Sequence, residues 1–260
     1  MSKILMAAVL AGAAASASAA LPYSTSFETF ANGNLPGQLS WATTAAGSTN
    51  LFQVGSTAGL ALTGSKYVSI NTANFTANGS QWAWIDQPMS AANLVTTPII
   101  TAKVNVAILS GGGTRQSMGG LDLYNLAGTA RLAAIRFRDN GQIDVINNNA
   151  QLASTAAGAV NLNAYYELAI QLNFQTGKIK WFVGGTELTG FAAGFDTLTS
   201  TDFGDADLYA VRTGLNGTTT GGTTGDTILY DDYSVTATVP TPGSIALLGM
   251  AGVFAGRRRR

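Results

Sequence analysis

Residues 99–109 read IITAKVNVAIL. Ile100, Ala102, Val104, Val106 and Ile108 fall on one side of an extended chain, while Thr101, Lys103 and Asn105 fall on the other. A period of two is the signature of a strand with one buried face. The same period runs outward in both directions. In YYELAIQLNFQTGKIKWFV (165–183), Tyr166, Leu168, Ile170, Leu172 and Phe174 alternate with Glu167, Gln171 and Asn173. Gln175-Thr176-Gly177 then turns the chain into Ile179, Trp181 and Val183, which predicts a hairpin. RLAAIRFRDNGQIDVI (131–146) predicts a second, with Asn140-Gly141 at the turn because both residues tolerate positive φ. Short alternating segments separated by Gly, Asn and Thr recur from Leu21 to Thr238, and no segment carries an apolar stripe of period 3.6. The expected fold class is all-β, a single jelly-roll β-sandwich.

Composition narrows the chemistry. Only 11% of residues are charged, against about 25% in ordinary soluble chains. Setting aside Lys3 and the four terminal arginines leaves 14 − 5 = 9 basic against 14 acidic residues. That mildly acidic middle argues against nucleic acid as a partner. Cysteine and histidine are both absent, which removes disulfides, thiolate and imidazole metal sites, cysteine nucleophiles and Ser-His triads.

The two ends have their own patterns. MSKILMAAVLAGAAASASAA (1–20) has one positive charge, an apolar run and a small-residue stretch ending in Ala-Ser-Ala. This is the layout of a secretory signal peptide, with cleavage expected after Ala19 or Ala20. At the other end, residues 239–260 read VPTPGSIALLGMAGVFAGRRRR. The thirteen uncharged residues Ser244 to Gly256 would rise about 20 Å as a helix, against about 30 Å of hydrocarbon. Arg257, Arg258, Arg259 and Arg260 would remain on the cytoplasmic side. Val239, Pro240, Thr241, Pro242 and Gly243 form a stiff stretch suited to an extended protease cleft. Segment 239–260 resembles the PEP-CTERM sorting signal of bacterial surface proteins, with Thr241 where that signal usually carries Glu. The resemblance implies an exosortase-type membrane peptidase as partner, transient residence in the inner membrane, and delivery to the cell envelope, cell surface or extracellular matrix. A plain anchor that stays uncut is the alternative. The expected organisation is therefore 1–20 signal peptide, 21–238 sandwich and 239–260 sorting segment.

Within the sandwich, SFETFANGNLPGQLSW (26–41), WFVGGTEL (181–188) and ILYDDYSVTA (228–237) resemble the opening, middle and closing segments of concanavalin-A-like, laminin-G-like jelly rolls. That resemblance implies a fold shared by lectins, glycanases and passive spacers.

Several groups are candidates for chemistry. Adjacent residues of a strand face opposite ways. Asp231 shares its parity with Leu229, Tyr233 and Val235, so it is the expected inward carboxylate of the Asp231-Asp232 pair. If the first and last strands lie together, Glu28 joins them. Three hard oxygen donors would suit a structural Ca²⁺, the alternative being a hydrogen-bonded strand end. Asp202, Asp205 and Asp207 in TDFGDADLY (201–209) lack the spacing of a calcium loop and read as a solvated acidic loop. Trp82 and Trp84 in QWAWIDQP (81–88) share one strand face. They either fill the core or, if Ala83 and Ile85 point inward, form a platform for sugar rings. No catalytic residue is expected. Hydrolysis of a glycoside needs two carboxyls across a cleft, yet the only glutamates are Glu28, Glu167 and Glu187, and the Glu-x-Asp-x-Glu strand of the glucanase relatives is absent. The sequence thus predicts an exported envelope or matrix protein with a structural or polysaccharide-binding role. A secreted glycan-active hydrolase or lyase is the alternative.

Overall fold

The computed structural model of the protein describes residues 21–43, 51–75, 79–111, 116–148, 152–213 and 225–239. The signal-peptide segment, Pro240 to Gly243, Arg257 to Arg260 and most of the Thr-rich run 216–227 lie outside the described residues. In chain order the strands are β1 (Tyr23–Thr25), β2 (Gly33–Asn34), β3 (Ala42–Thr43), β4 (Gln53–Gly55), β5 (Tyr67–Asn71), β6 (Gly79–Trp84), β7 (Ile99–Leu109), β8 (Gln116–Tyr124) and β9 (Arg131–Arg138). They continue with β10 (Ile143–Asn147), β11 (Leu152–Ser154), β12 (Tyr166–Asn173), β13 (Lys178–Val183), β14 (Thr186–Glu187), β15 (Asp205–Thr213) and β16 (Thr227–Thr238). Two antiparallel sheets result. One has nine strands in the order β14-β13-β12-β7-β16-β5-β4-β2, with β1 also paired to β16; the other has seven, β11-β10-β9-β8-β15-β6-β3.

The core fills the space between the sheets, and the alternation in residues 99–109 shows why. Ile100, Ala102, Val104, Val106 and Ile108 on β7 are all at 0% exposure. On the facing sheet Leu121, Leu123, Ile135, Phe137, Ala206 and Leu208 belong to the same apolar cluster. Each fully buried Val, Leu, Ile or Phe side chain among them contributes about 1.5–3 kcal/mol. Hydrogen bonds from buried aromatic side chains also cross the gap. Trp181 Nε1 donates to the Ala134 carbonyl at 3.0 Å, Tyr233 OH to the Ala206 carbonyl at 2.6 Å, and Tyr230 OH to the Tyr209 carbonyl. Burial holds the Tyr230 and Tyr233 phenols far above their usual pKa, so both remain donors. Through them β16 fixes the height and lateral position of β15.

Both expected hairpins form, β12 with β13 from Asn173↔Lys178 and β9 with β10 from Ile143↔Phe137. The second turn differs in detail from the expectation. Only Gly141 adopts positive φ, at 75°, whereas Asn140 uses its side-chain oxygen to accept from the Gln142 N–H at 3.0 Å. One short helix, α1 (Ala91–Thr96), escaped the sequence reading. With Leu94 as its buried residue, it is too short to display a helical stripe. Among the described residues no helix is long and apolar enough to cross a membrane.

Strand β16 carries the main irregularity. Its pairing with β7 shifts between Asp231 and Ser234, and Asp232 sits at φ 48°. This bulge inserts an extra residue and reverses the parity of everything after it. Ile228, Tyr230, Tyr233 and Val235 all face the core, while Leu229 packs on the outer face with Tyr67 and Ala107.

Candidate functional site

The outer face of the seven-stranded sheet carries a row of side chains at matched register. Trp82 on β6 stands opposite Tyr209 on β15, Tyr209 opposite Gly120 on β8, and Gly120 opposite Arg136 on β9. A Cβ at Gly120 would collide with the carbonyl oxygen of Ile135. Glycine therefore leaves a gap in the row, and the Arg136 guanidinium closes it by lying over the Tyr209 ring, 3.6 Å from its centroid. Trp82 meets the same ring edge-on, centroids 5.6 Å apart. Ala83 and Ile85 point into the core, so of the two expected arrangements for Trp82 and Trp84 the outward one is present, with both indoles half-buried.

A buried ion pair stabilises this row. Arg136 grips Asp122 with two bonds, Nε to Oδ1 at 3.0 Å and Nη2 to Oδ2 at 2.6 Å, and Arg131 Nη1 approaches Asp122 Oδ2 at 3.5 Å. The Asp122 side chain is fully buried and that of Arg136 is 10% exposed. Bidentate geometry offsets a desolvation penalty that would otherwise exceed the Coulombic gain. Sequence reading did not single out this pair. The available signal was a charged residue between core residues on each strand, Asp122 between Leu121 and Leu123 and Arg136 between Ile135 and Phe137, with opposite signs.

Beside the pair lies a cavity of about 400 Å³ whose walls include Trp82, Trp84, Tyr124, Asp86, Asp205 and Asp207. Here the expectation of a solvated acidic loop is overturned. Asp205–Thr213 is a strand that pairs with β8 along its length and with β6 from Leu208 to Arg212. Its outward residues Asp205 and Asp207 are side by side, and Asp207 is only 6% exposed. The small residues and aspartates of TDFGDADLY disguised a strand buried on both faces. Asp202 keeps a loop role, accepting from the Leu126 N–H at 3.2 Å. Burial raises the Asp207 carboxyl well above its usual range, helped by the charges of Asp205, Asp122 and Asp86. Asp205 is raised by the same burial. Oδ1 of each meets no protein donor. Tyr124 is held protonated by burial and by the neighbouring Asp122 and Asp207 charges.

Glu28, Asp231 and Asp232 lie on the opposite side of the molecule, on the outer face of the nine-stranded sheet. As expected, β1 lies against β16, with Tyr23↔Val235 in register, so Glu28 is brought toward the aspartates. The three do not converge as ligands, and among the described residues no group of three or more carboxylates is arranged to hold a metal ion. Each acts on the loop ahead of β5 instead. Asp231 Oδ2 accepts from the N–H groups of Leu62 at 2.9 Å and Thr63 at 3.0 Å. Asp232 Oδ1 accepts from the Thr63 hydroxyl at 2.7 Å. Glu28 accepts from the N–H groups of Ser65 and Lys66 at 2.8 and 2.6 Å and from the Ser65 hydroxyl at 2.9 Å. Those bonds, the Ser65 N–H foremost, lower the Glu28 pKa. Asp231 is buried, but under this loop and beside Leu229 rather than between the sheets. The bulge removes the parity that the sequence gives Asp231 in common with Tyr233 and Val235. Of the sorting motif, Val239 alone is described, and it is exposed.

No protein-family model matches the sequence, and no curated protein matches it. Solved structures resemble it in fold. A sialidase superposes with a TM-score of 0.53 at 9% identity over 92% of this chain and 21% of its own. Cellulose induced protein Cip1 gives 0.51 at 12% identity, covering 82% of this chain and 96% of its own. The alginate lyase AlgAT5 of polysaccharide lyase family 7 gives 0.50 at 14% identity, covering 74% and 84%. The chain spans about a fifth of the sialidase. What these structures share with the chain is the fold, a concanavalin-A-like sandwich of two antiparallel sheets.

Proposed function

We propose that this chain is an exported protein of the cell envelope or extracellular matrix whose sandwich binds polysaccharide without cleaving it, through the outer face of the seven-stranded sheet. The observation that carries the reading is the pair of outward indoles, Trp82 and Trp84, at the wall of a cavity of about 400 Å³. Aromatic faces of this kind stack on the apolar faces of sugar rings, and a concave site with a few polar groups is the usual form of a ligand pocket. Asp205 and Asp207 by themselves do not make a hydrolytic pair. Asp205 and Asp207 stand two residues apart on one face of one strand, whereas glycosidic cleavage needs carboxyls on either side of the scissile bond. Asp122 is engaged with Arg136. Export and sorting are supported by residues 1–20 and by the motif Val239 to Gly243 before the terminal arginines, with an exosortase-type peptidase as the proposed partner.

The test is a panel of extracellular polysaccharides in affinity electrophoresis, with a parallel assay for reducing ends and unsaturated sugars. Retardation without product is expected, abolished in the Trp82→Ala, Trp84→Ala double variant while its thermal transition persists. Product formation, or binding unchanged in that variant, overturns the reading. The intact mass of protein from the native envelope tests sorting. A C-terminus between Thr238 and Gly243 supports it, and retention of Arg260 refutes it.

A further inference from the structure

We propose that the cavity bounded by Trp82, Trp84, Tyr124, Asp205 and Asp207 takes a positively charged amine, so that the bound glycan is an amino-sugar polymer with free amino groups. This rests on the polysaccharide-binding reading and names its ligand class. Three observations converge on it.

The first is an imbalance of charge within one sheet face. Asp122 is matched by Arg136 and Arg131, and Asp144, two strands away on β10, by Arg138 at 2.5 Å. Asp205 and Asp207 have no cation paired with them among the described residues, and Asp86 on the same cavity wall adds a third carboxyl. The second is the orphaned oxygens. Oδ1 of Asp207, on a residue 94% buried, and Oδ1 of Asp205 face no protein donor. A buried acceptor left without a donor is unfavourable unless a ligand supplies one. The third is the wall material. Trp82, Trp84 and Tyr124 line the same cavity as the acids, and indole faces attract cations, most strongly where water is excluded.

An ammonium group answers all three at once, because it brings three N–H donors and a compensating charge. A sugar hydroxyl would satisfy one oxygen and leave the charge unbalanced. A uronate would add a further carboxyl to an already acidic cavity and bring no N–H donor, a juxtaposition that selects against acidic glycans. With no cation bound, burial and mutual repulsion favour a proton on the Asp205–Asp207 pair. A bound ammonium would take over that proton's role.

The experiment is titration calorimetry of the full-length protein at neutral pH with hexamers of β-1,4-linked glucosamine, N-acetylglucosamine and mannuronate. One charge-assisted contact predicts that the glucosamine hexamer binds about tenfold or more tightly than the N-acetylated one, with no binding of mannuronate. In the Asp205→Asn, Asp207→Asn double variant that preference should fall to within about twofold while binding of the N-acetylated hexamer persists. Asp205→Asn alone, at the less buried position, serves if the double variant does not fold. Equal binding of the two hexamers, preference for the N-acetylated or acidic one, or a preference that survives both substitutions overturns the amine assignment. Polysaccharide binding would stand in each case. Absence of binding to these hexamers and to every polysaccharide in the panel overturns both.

Discussion

The outer faces of the two sheets are built on opposite electrostatic plans. On the nine-stranded sheet, Lys103 pairs with Glu167 at 3.3 Å, Lys178 with Asp196 at 2.9 Å and Lys180 with Glu187 at 2.8 Å, and all six side chains are between about a third and a half exposed. These are solvated pairs on flexible stems, each contributing little. On the seven-stranded sheet the cations are arginines, the acids are aspartates, and Asp122 and Asp144 have almost no exposed side-chain surface. Planar guanidinium groups on short acids are the chemistry of desolvated pairing. A face that needed only to stay soluble would resemble the first sheet. The second keeps charged and aromatic groups under partial cover, and the proposed glycan-binding role rests on that difference.

Substitutions that remove one partner should separate the two faces. Asp122→Ala leaves Arg136 charged, with both of its bonds to Asp122 unmade, in a buried position, and should destabilise the protein by about 3–5 kcal/mol, read by urea unfolding. A loss below about 1 kcal/mol would mean that the pair is solvated and that the two faces do not differ.

Acid titration should give the next largest effect. Burial raises Asp139 from 3.8 to about 6, with the neighbouring Asp226 adding to the rise and the Ser117 N–H opposing it. Asp205 and Asp207 shift in the same direction. A carboxyl whose folded pKa exceeds its unfolded value contributes stability that is complete below the unfolded pKa and is lost as pH rises through the folded one. Tm should therefore be higher at about pH 5 than at about pH 7.5, by several degrees. The difference should shrink in Asp139→Asn. A Tm that rises with pH across that window would contradict the buried-acid description of the seven-stranded side. Lys180→Ala on the other sheet should have the smallest effect, less than about 1 kcal/mol and smaller still in high salt.

What the sequence made legible followed from period. Alternation located β7, β12 and β13, because a half-buried strand writes its burial directly into residue order. It could not locate the bulge at Asp231–Asp232, since an extra residue leaves composition and spacing unchanged and alters only which side each later residue takes. Asp231 was expected inside the sandwich and lies under the loop at Leu62 and Thr63 for that reason. The site was less legible than the fold. Trp82, Asp122, Arg136 and Tyr209 come from four strands spread across residues 79–213, and only the strand order of the sheet makes them neighbours.

The position of β16 has a mechanical consequence. This last described strand is not at a sheet edge. It is hydrogen-bonded to β7 from Thr227↔Leu109 to Thr238↔Ile99 on one side, and to β5 and then β1 on the other. Tension on the chain beyond Thr238 therefore runs down the axis of a strand glued on both flanks. Inter-strand bonds lie across that line of pull, so they bear the load together, as in a lap joint in shear, rather than one after another as in a zipper. A sandwich held by this end would resist drag at the point where it is held.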